Sequence, residues 1–186
     1  MKTTLKTSLV ALAFAGLAGL ALADDADIQK CYEKFATPGA EHAKLAKLEG
    51  SFTTTIKGCG KEVAGTAERK LILNGLFLQE DFKGACPMTG GEFRGQGVYG
   101  YDNARKKWVS TWVDSMSSGV MTSEGTLDDK GTITWECKAT DPVTGKTKKQ
   151  RATLTIADAK TQTYKLYGTG EDGSEVLFVE VVYTKK

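Results

Sequence analysis

The residues with the clearest chemical potential lie in one predicted strand, 107–114, where Trp108, Ser110, Trp112 and Asp114 occupy alternate positions. Successive side chains of a strand point to opposite faces, so these four share one face. Aromatic surface with a few placed polar groups is typical of a small-molecule pocket. The alternation alone does not say whether this face is directed inward. If it is, the carboxylate lies near the rim of the pocket.

Further polar residues on neighbouring predicted strands could complete this pocket. The full set of candidate ligand-binding residues is Trp108, Trp112, Asp114, Glu124, Arg94, Gln96 and Gln79. In the alternative interpretation the tryptophans are only core residues, and the charged residues form cross-strand pairs on the outside. Asp114 would then serve only to make the turn that follows its strand.

The sequence carries no catalytic motif of high specificity. His42 is the only histidine and lies in a predicted helix, so it cannot form a zinc site without other ligands. The serines lack the glycine spacing of a nucleophile elbow. The carboxylates of Asp114, Glu124 and Glu80 are candidates for acid–base chemistry only by their strand positions. We therefore predict no catalytic residues, no metal site and no cofactor.

The N-terminus has the features of a secretory signal. Lys2 and Lys6 precede an apolar run over 8–20, and small residues follow at Ala21 and Ala23. This pattern predicts a signal peptide, 1–23, and export to the periplasm or the medium. The apolar run is shorter than the ~20 residues of a comfortable membrane span, so we expect no membrane anchor after cleavage. An uncleaved N-terminal anchor is the alternative.

The charge balance argues against nucleic acid as a partner. The chain has 25 basic residues, of which Lys2 and Lys6 would leave with the signal peptide, and 23 acidic residues. A near-neutral mature chain lacks the dense basic surface that binds phosphate backbones. The basic cluster over 146–151 is interpreted as a solvated loop and strand edge.

Two short helices, 27–35 and 40–48, precede a long region with the period of β-strands. Asn74 and Gly75 predict a two-residue type I′ turn, and 128–131 predicts a type I turn closed by a glycine bulge. No connection has room for a crossover helix, so every pair is expected to be antiparallel. The ten predicted strands are 51–57, 63–73, 76–83, 92–101, 107–114, 119–127, 132–138, 148–156, 161–167 and 175–183.

Ten antiparallel strands leave two edges, which closure into a barrel removes. We therefore predict an all-β, up-and-down, ten-stranded barrel of lipocalin-like or fatty-acid-binding-like type, with a flattened sandwich as the alternative. The predicted organisation is a signal peptide over 1–23, a helical segment over 24–50 and the barrel over 51–186. A barrel of this size can hold a small ligand.

Four cysteines in an exported chain favour disulfides. Up-and-down order places the turns 58–60 and 85–91 next to each other at one end. We therefore predict a bridge from Cys59 to Cys86, worth roughly 3–4 kcal/mol in the chain-entropy model, and a second bridge from Cys31 to Cys137. The sequence alone leaves the other connectivities open.

Four segments carry a resemblance to a known family: 65–69, 77–80, 112–117 (Trp-Val-Asp-Ser-Met-Ser) and 141–146. Over 39–186 the chain resembles a bacterial family known only as a domain of unknown function. The resemblance implies a lipocalin-like barrel and no particular activity. The helix before Pro38 and the four cysteines depart from the family pattern.

Together these observations predict an exported protein that binds a small apolar or amphipathic ligand. One alternative is an isomerase or hydrolase that uses carboxylates in the barrel cavity. The other is a structural or interaction module of the cell envelope, with the loop 139–147 as its contact surface. The identity of the ligand and the oligomeric state do not follow from the sequence.

Overall fold

The structure, a computed structural model, describes residues 25–158, 160–170 and 172–186. The predicted signal peptide, 1–23, lies outside the described residues. The chain divides into two compact units, and the boundary falls after Lys34. Helix α1, Asp25–Phe35, belongs almost entirely to the first unit. No helix in the described part of the chain combines the length and apolarity needed to cross a membrane.

The second unit is a closed ten-stranded barrel in which each strand pairs with its sequence neighbour and β1 pairs with β10. All pairs are antiparallel, and the closing pair sets Thr54 opposite Tyr183. The predicted barrel is confirmed, and the sandwich alternative is wrong. The strands are β1 Gly50–Gly58, β2 Lys61–Ile72, β3 Phe77–Ala85, β4 Glu92–Asp102, β5 Lys107–Asp114, β6 Met121–Leu127, β7 Thr132–Thr140, β8 Thr147–Ile156, β9 Thr161–Thr169 and β10 Glu175–Lys185.

Alternation of side chains explains why these segments form the wall of a barrel. In β7, Ile133, Trp135 and Cys137 are buried inside, whereas the residues between them are exposed. This period of two buries one face of each strand and leaves the other in solvent. Closure pairs both edges of the sheet, so no row of backbone groups is left unbonded.

Of two turns predicted from the sequence, the structure confirms one and contradicts the other. Asp128 Oδ1 accepts bonds from the backbone N–H groups of Lys130 and Thr132, both at 2.9 Å, and Gly131 has a φ of 81°, which confirms the glycine-closed turn. The predicted two-residue turn at Asn74 and Gly75 is wrong. Four residues, 73–76, bridge the strands because Ile72 pairs with Phe77. Three of the four have positive φ.

The loops define two ends of the barrel. The helix rim carries the loops 73–76, 103–106 and 128–131, and the loop rim carries 59–60, 86–91, 115–120 and 141–146. Helix α2, Ala40–Leu45, continues as a 3₁₀ turn over Ala46–Leu48 and packs at the helix rim.

Three residues hold α2 against the barrel. Leu45 and Leu48 are buried in the same cluster as Leu78 of β3. His42 is also buried, and its Nδ1 accepts a bond from the Gly39 backbone N–H at 3.0 Å. The imidazole ring meets the ring of Tyr101 edge-on, with 6.0 Å between centroids. The helix therefore closes one end of the interior.

The interior contains two apolar clusters. The helix-side cluster consists of Leu45, Leu48, Leu78, Trp108, Ile133, Trp135, Cys137, Ala152 and Leu154. The loop-side cluster consists of Phe52, Ile56, Ala67, Phe82, Val181 and Tyr183, with the partly buried Val63, Phe93, Trp112, Tyr164 and Val179 packed against it.

Candidate functional site

The tryptophan face of β5 is directed into the barrel. Trp108 is buried in the helix-side cluster, and the half-buried Trp112 packs against Phe82 with 6.3 Å between ring centroids. Trp112 Nε1 donates to Asp114 Oδ2 at 3.0 Å, and Asp114 Oδ1 accepts from the Met116 backbone N–H at 2.9 Å. The carboxylate at the loop rim thus orients the indole and shapes the turn after β5.

Two glycines of β4 make room for this indole. A Cβ atom on Gly95 would lie 2.1 Å from Trp112 Cζ2, and one on Gly97 would lie 3.1 Å from Trp112 Cε3. Both positions are buried and face inward. The two glycines of the Gly-Gln-Gly segment therefore allow the Trp112 ring to pack directly on the backbone of β4.

The other four sequence-predicted candidates lie on the outer wall, namely Gln79, Arg94, Gln96 and Glu124. The amides of Gln79 and Gln96 donate to Asp81 at 2.9 and 2.8 Å, and Asp81 also faces outward. The reason is the alternation of β3 and β4, whose inward positions are taken by Glu80 and the glycines. The structure therefore does not bring these four residues together with the tryptophans.

The charged members of that group form ion pairs in solvent. Arg94 pairs with Glu92, and Arg105 Nη1 lies 2.6 Å from Glu124 Oε1. Asp114 and Glu124, two of the three carboxylates considered for acid–base chemistry, are consequently on different faces of the wall. They cannot act together on one molecule inside the barrel.

All four cysteines are free thiols, so neither predicted disulfide is present. Cys137 lies inside the helix-side cluster, where burial raises the pKa of its thiol. Cys31 is exposed on α1. The turns of Cys59 and Cys86 are neighbours as predicted, but a hydrogen bond to Thr89 in its own turn engages the Cys86 thiol and lowers its pKa.

The main polar feature of the interior includes one residue that the sequence analysis considered, the acid–base candidate Glu80, and otherwise lies outside the candidate ligand-binding set. Arg69 and Glu80 are 5% and 0% exposed, and Arg69 Nε lies 3.1 Å from Glu80 Oε2 as an ion pair without hydrogen-bond alignment. The hydroxyls of Tyr99 and Tyr183 donate to the two oxygens of Glu80, each at 3.0 Å. Arg69 Nη1 donates to Gln162 Oε1. We call these five residues the interior polar cluster.

The electrostatics of the cluster follow from its burial. Burial acts most strongly on Arg69 and lowers its pKa, but the contributions of Glu80, Tyr183 and Tyr99 together outweigh it, so the net pKa is raised. Burial raises the pKa values of Tyr99, Tyr183 and the neighbouring Tyr164, so these phenols stay neutral. The cluster is thus one cation and one anion surrounded by neutral dipoles.

One signal in the sequence could have identified this pair. Arg69 and Glu80 are directly opposite in the β2–β3 register, and each alternates with residues buried inside, Ala67 on β2 and Phe82 on β3. A charged residue that lies on the same face of a strand as the buried apolar residues is expected to need a buried partner. The distant member, Gln162 on β9, reaches the cluster only through closure of the barrel.

Two concavities lie on the outer wall, and neither is centred on the interior polar cluster. One, of about 300 Å³, is lined by residues of β7, β8, β9 and the start of β10, including Arg151 and Tyr167. The other, of about 220 Å³, is lined mainly by residues of β5 and β6. Glu136 and Lys138 border both. Across the described ranges, no group of three or more His, Cys, Asp or Glu residues could hold a metal ion.

Comparison with known proteins identifies a family through one match. No curated protein matches the sequence. The solved structures that are similar include a de novo designed fluorescence-activating β-barrel (15% identity, 76% of this chain and 96% of that one, TM-score 0.44) and a redesigned β-barrel (15%, 76% and 94%, TM-score 0.40). The family model described as protein of unknown function DUF1579 matches residues 37–185. The chain therefore belongs to the DUF1579 family of proteins of unknown function, as its sequence resemblance predicted.

Proposed function

We propose that this protein is an exported carrier that binds a small amphipathic ligand inside the barrel, with entry at the loop rim. The observation that carries the proposal is the interior polar cluster, which lies between two apolar clusters. An apolar interior with a few fixed polar groups suits a ligand that has one polar end.

The energetics of the ion pair support this proposal. A buried pair such as Arg69 and Glu80 stabilises a fold no better than well-packed apolar side chains of similar volume. A function that uses the polar groups would explain why such a pair occupies the interior. Tyr99, Tyr183 and Arg69 all hold the Glu80 carboxylate, which supports a functional role for the pair.

The entry route is inferred from burial. Trp112 and Phe93 are only half-buried at the loop rim, whereas Leu45 and Leu48 of α2 are fully buried at the helix rim. The interior is occupied by side chains, so a ligand must displace some of them. The partly exposed rings of the loop rim are the ones that move with the least loss of buried surface.

The test is a titration with the neutral fluorescent dye Nile red. We expect a saturable blue shift of the dye emission, at one dye per chain. Trp112→Ala should weaken binding by at least about fivefold, because an indole buries a large apolar area. Val113→Ala is the matched control, since Val113 is the next residue of β5 and faces outward with 40% exposure.

Equal affinities for the two variants, or no dye binding by the wild-type protein, would contradict the proposal. Mass spectrometry of an organic extract of protein purified from the periplasm tests the same point with a natural ligand. The predicted export is tested in the same preparation, because cleavage after Ala23 leaves Asp24 as the first residue.

A second candidate, an interaction module, is favoured by exposed apolar side chains on three consecutive loops of the loop rim. Met88, Met116 and Val143 are 68%, 51% and 90% exposed. Apolar side chains gathered at one end of a molecule are typical of a contact surface. On this hypothesis, replacing the three residues with serine abolishes Nile red binding and Trp112→Ala does not. Leu73→Ser, at the helix rim, is the control.

A further inference from the structure

We infer that the ligand carries an uncharged hydrogen-bond acceptor, such as the carbonyl oxygen of a ketone or ester, and that Thr54 Oγ1 donates to it beside the Arg69–Glu80 pair. This inference rests on the proposed function. It adds the chemical class of the ligand and the atom that recognises its polar end.

The carboxylate and amide oxygens of the interior polar cluster are already in use. Glu80 Oε1 accepts from Tyr183, and Glu80 Oε2 accepts from Tyr99 and lies beside Arg69. Gln162 Oε1 accepts from Arg69 Nη1. A ligand donor directed at these oxygens would therefore have to compete with bonds that exist.

Donors, by contrast, are in excess. Among the described residues, the buried side-chain nitrogen and oxygen atoms without a hydrogen-bond partner are Arg69 Nε and Thr54 Oγ1. A buried polar group without a partner costs about 1–3 kcal/mol, so an acceptor oxygen that bonded to Thr54 Oγ1 would recover that energy. Arg69 Nε, however, already has the carboxylate of Glu80 at 3.1 Å.

Thr54 and Arg69 are both neighbours of Tyr183. Thr54 is directly opposite Tyr183 in the β1–β10 register, and Arg69 Cζ lies 4.1 Å from the centroid of the Tyr183 ring. Gly65 keeps the space beside the hydroxyl free of a side chain, since a Cβ there would lie 2.7 Å from Thr54 Oγ1. The two donors thus flank one part of the inner wall.

The charge of the cluster decides between an uncharged and an anionic acceptor. Arg69 is neutralised by Glu80 at 3.1 Å, and both are buried. A carboxylate bound there would leave one buried negative charge without a partner, which is costly in an apolar interior. A carbonyl oxygen accepts the same hydrogen bonds without that charge.

The apolar body of the ligand has one direction in which to extend. The loop-side cluster runs from Phe52 through Phe82 to the half-buried Trp112 and Phe93 at the loop rim. The helix rim is closed by α2. We therefore expect an unbranched or flat apolar chain that lies along the loop-side cluster with its carbonyl end toward Tyr183.

The experiment compares two probes of equal chain length, 2-undecanone and undecanoate, as competitors of bound Nile red at about pH 8, where the acid is ionised. The ketone should displace the dye at a concentration at least about tenfold below that of the acid. Thr54→Val, which removes only the hydroxyl, should weaken ketone binding about fivefold, the value of one neutral hydrogen bond.

The matched control is Thr55→Val, because Thr55 is the next residue of β1 and faces outward. Thr54→Val should keep or raise the thermal midpoint, since it replaces an unbonded buried hydroxyl with a methyl group. A loss of ketone affinity in that variant therefore cannot come from misfolding.

The outcomes separate this inference from the proposed function. Tighter binding of undecanoate, equal ketone affinities for the two threonine variants, or no displacement of bound dye by either probe would overturn the inference and leave the carrier function standing. A wild-type protein that binds no Nile red would remove both. Preference for the ketone, reduced only by Thr54→Val, supports the inference.

Discussion

The inner and outer walls of the barrel carry ion pairs of similar chemistry in opposite surroundings. On the outer wall, Arg151 donates to both oxygens of Glu175 at 2.8 and 2.6 Å, and its Cζ lies 3.9 Å from the Tyr167 ring. On the inner wall, Arg69 pairs with Glu80 and stacks on a tyrosine in the same way.

Burial is what separates the two pairs. The side chains of the outer pair are 39% and 51% exposed, whereas those of the inner pair are 3% and 0% exposed. The outer pair has the better hydrogen-bond geometry, yet water competes for it. For the inner pair, loss of one partner leaves a charge in the protein interior. The contrast indicates that burial, rather than contact geometry, determines how much stability is lost when a salt bridge is broken.

The largest effect should come from breaking the inner pair. We expect Glu80→Gln or Arg69→Met to lower the free energy of unfolding by about 3–5 kcal/mol, because the remaining partner stays buried without its counterion. Urea unfolding measures this loss. Replacing both residues, as Arg69→Met with Glu80→Leu, should recover most of it. A double variant as unstable as the single ones would contradict the argument.

A smaller effect should come from crowding the inner wall. Gly95→Ala places a methyl group where the Trp112 ring lies, so the ring must shift. We expect a loss of about 1–3 kcal/mol and a change in the tryptophan emission maximum. Gly91→Ala is the control, because a Cβ there would meet only Thr89 Oγ1 at 3.5 Å. Similar losses for the two variants would count against this packing account.

His42 at the helix rim allows a pH-dependent test of whether burial sets the energetic effect of charging a side chain. Burial lowers the pKa of His42, although a backbone hydrogen bond to Tyr101 and the charge of Glu41 act in the opposite direction. The unfolded chain therefore binds a proton first as the pH falls. The contribution of neutral His42 to the stability of the fold is complete above pH ~6.5, the ordinary pKa of histidine. It decreases as the pH falls below that value.

Thermal midpoints between about pH 7.5 and 5.5 measure this dependence. His42 is the only histidine, so His42→Gln should flatten the pH profile over that interval. An unchanged profile in the variant would assign the dependence to other groups.

The smallest effect should come from the outer pair. Arg151→Met should leave the urea midpoint nearly unchanged and should change it less than Gly95→Ala does, because both partners remain solvated. Added salt should reduce even that difference, since exposed charges are screened. A destabilisation as large as that of Arg69→Met would erase the contrast between the walls.

The sequence predicted the ten strands well because their signal is local. Alternation of apolar and polar residues and turn residues such as Asp128 and Gly131 act over a few positions. The turn at Asn74 was predicted less well, because the register of β2 with β3 leaves a four-residue loop there. Loop length depends on where two strands stop pairing, which no single segment encodes.

The site was predicted only in part. The alternation in β5 correctly grouped Trp108 with Trp112, and closure of the barrel turned that face inward. Gln79, Arg94, Gln96 and Glu124 were placed with them by strand position alone, and the pleat directs them outward.

What this sequence determined by itself is the succession of antiparallel strands and the family, because both depend on patterns within short segments. Only the tertiary structure decided which face of each strand became the interior and which distant residues met there. Arg69 and Gln162 are 93 positions apart and bond only because β1 pairs with β10. The physical reason is that burial belongs to the closed sheet as a whole, and burial decides which polar groups must find partners.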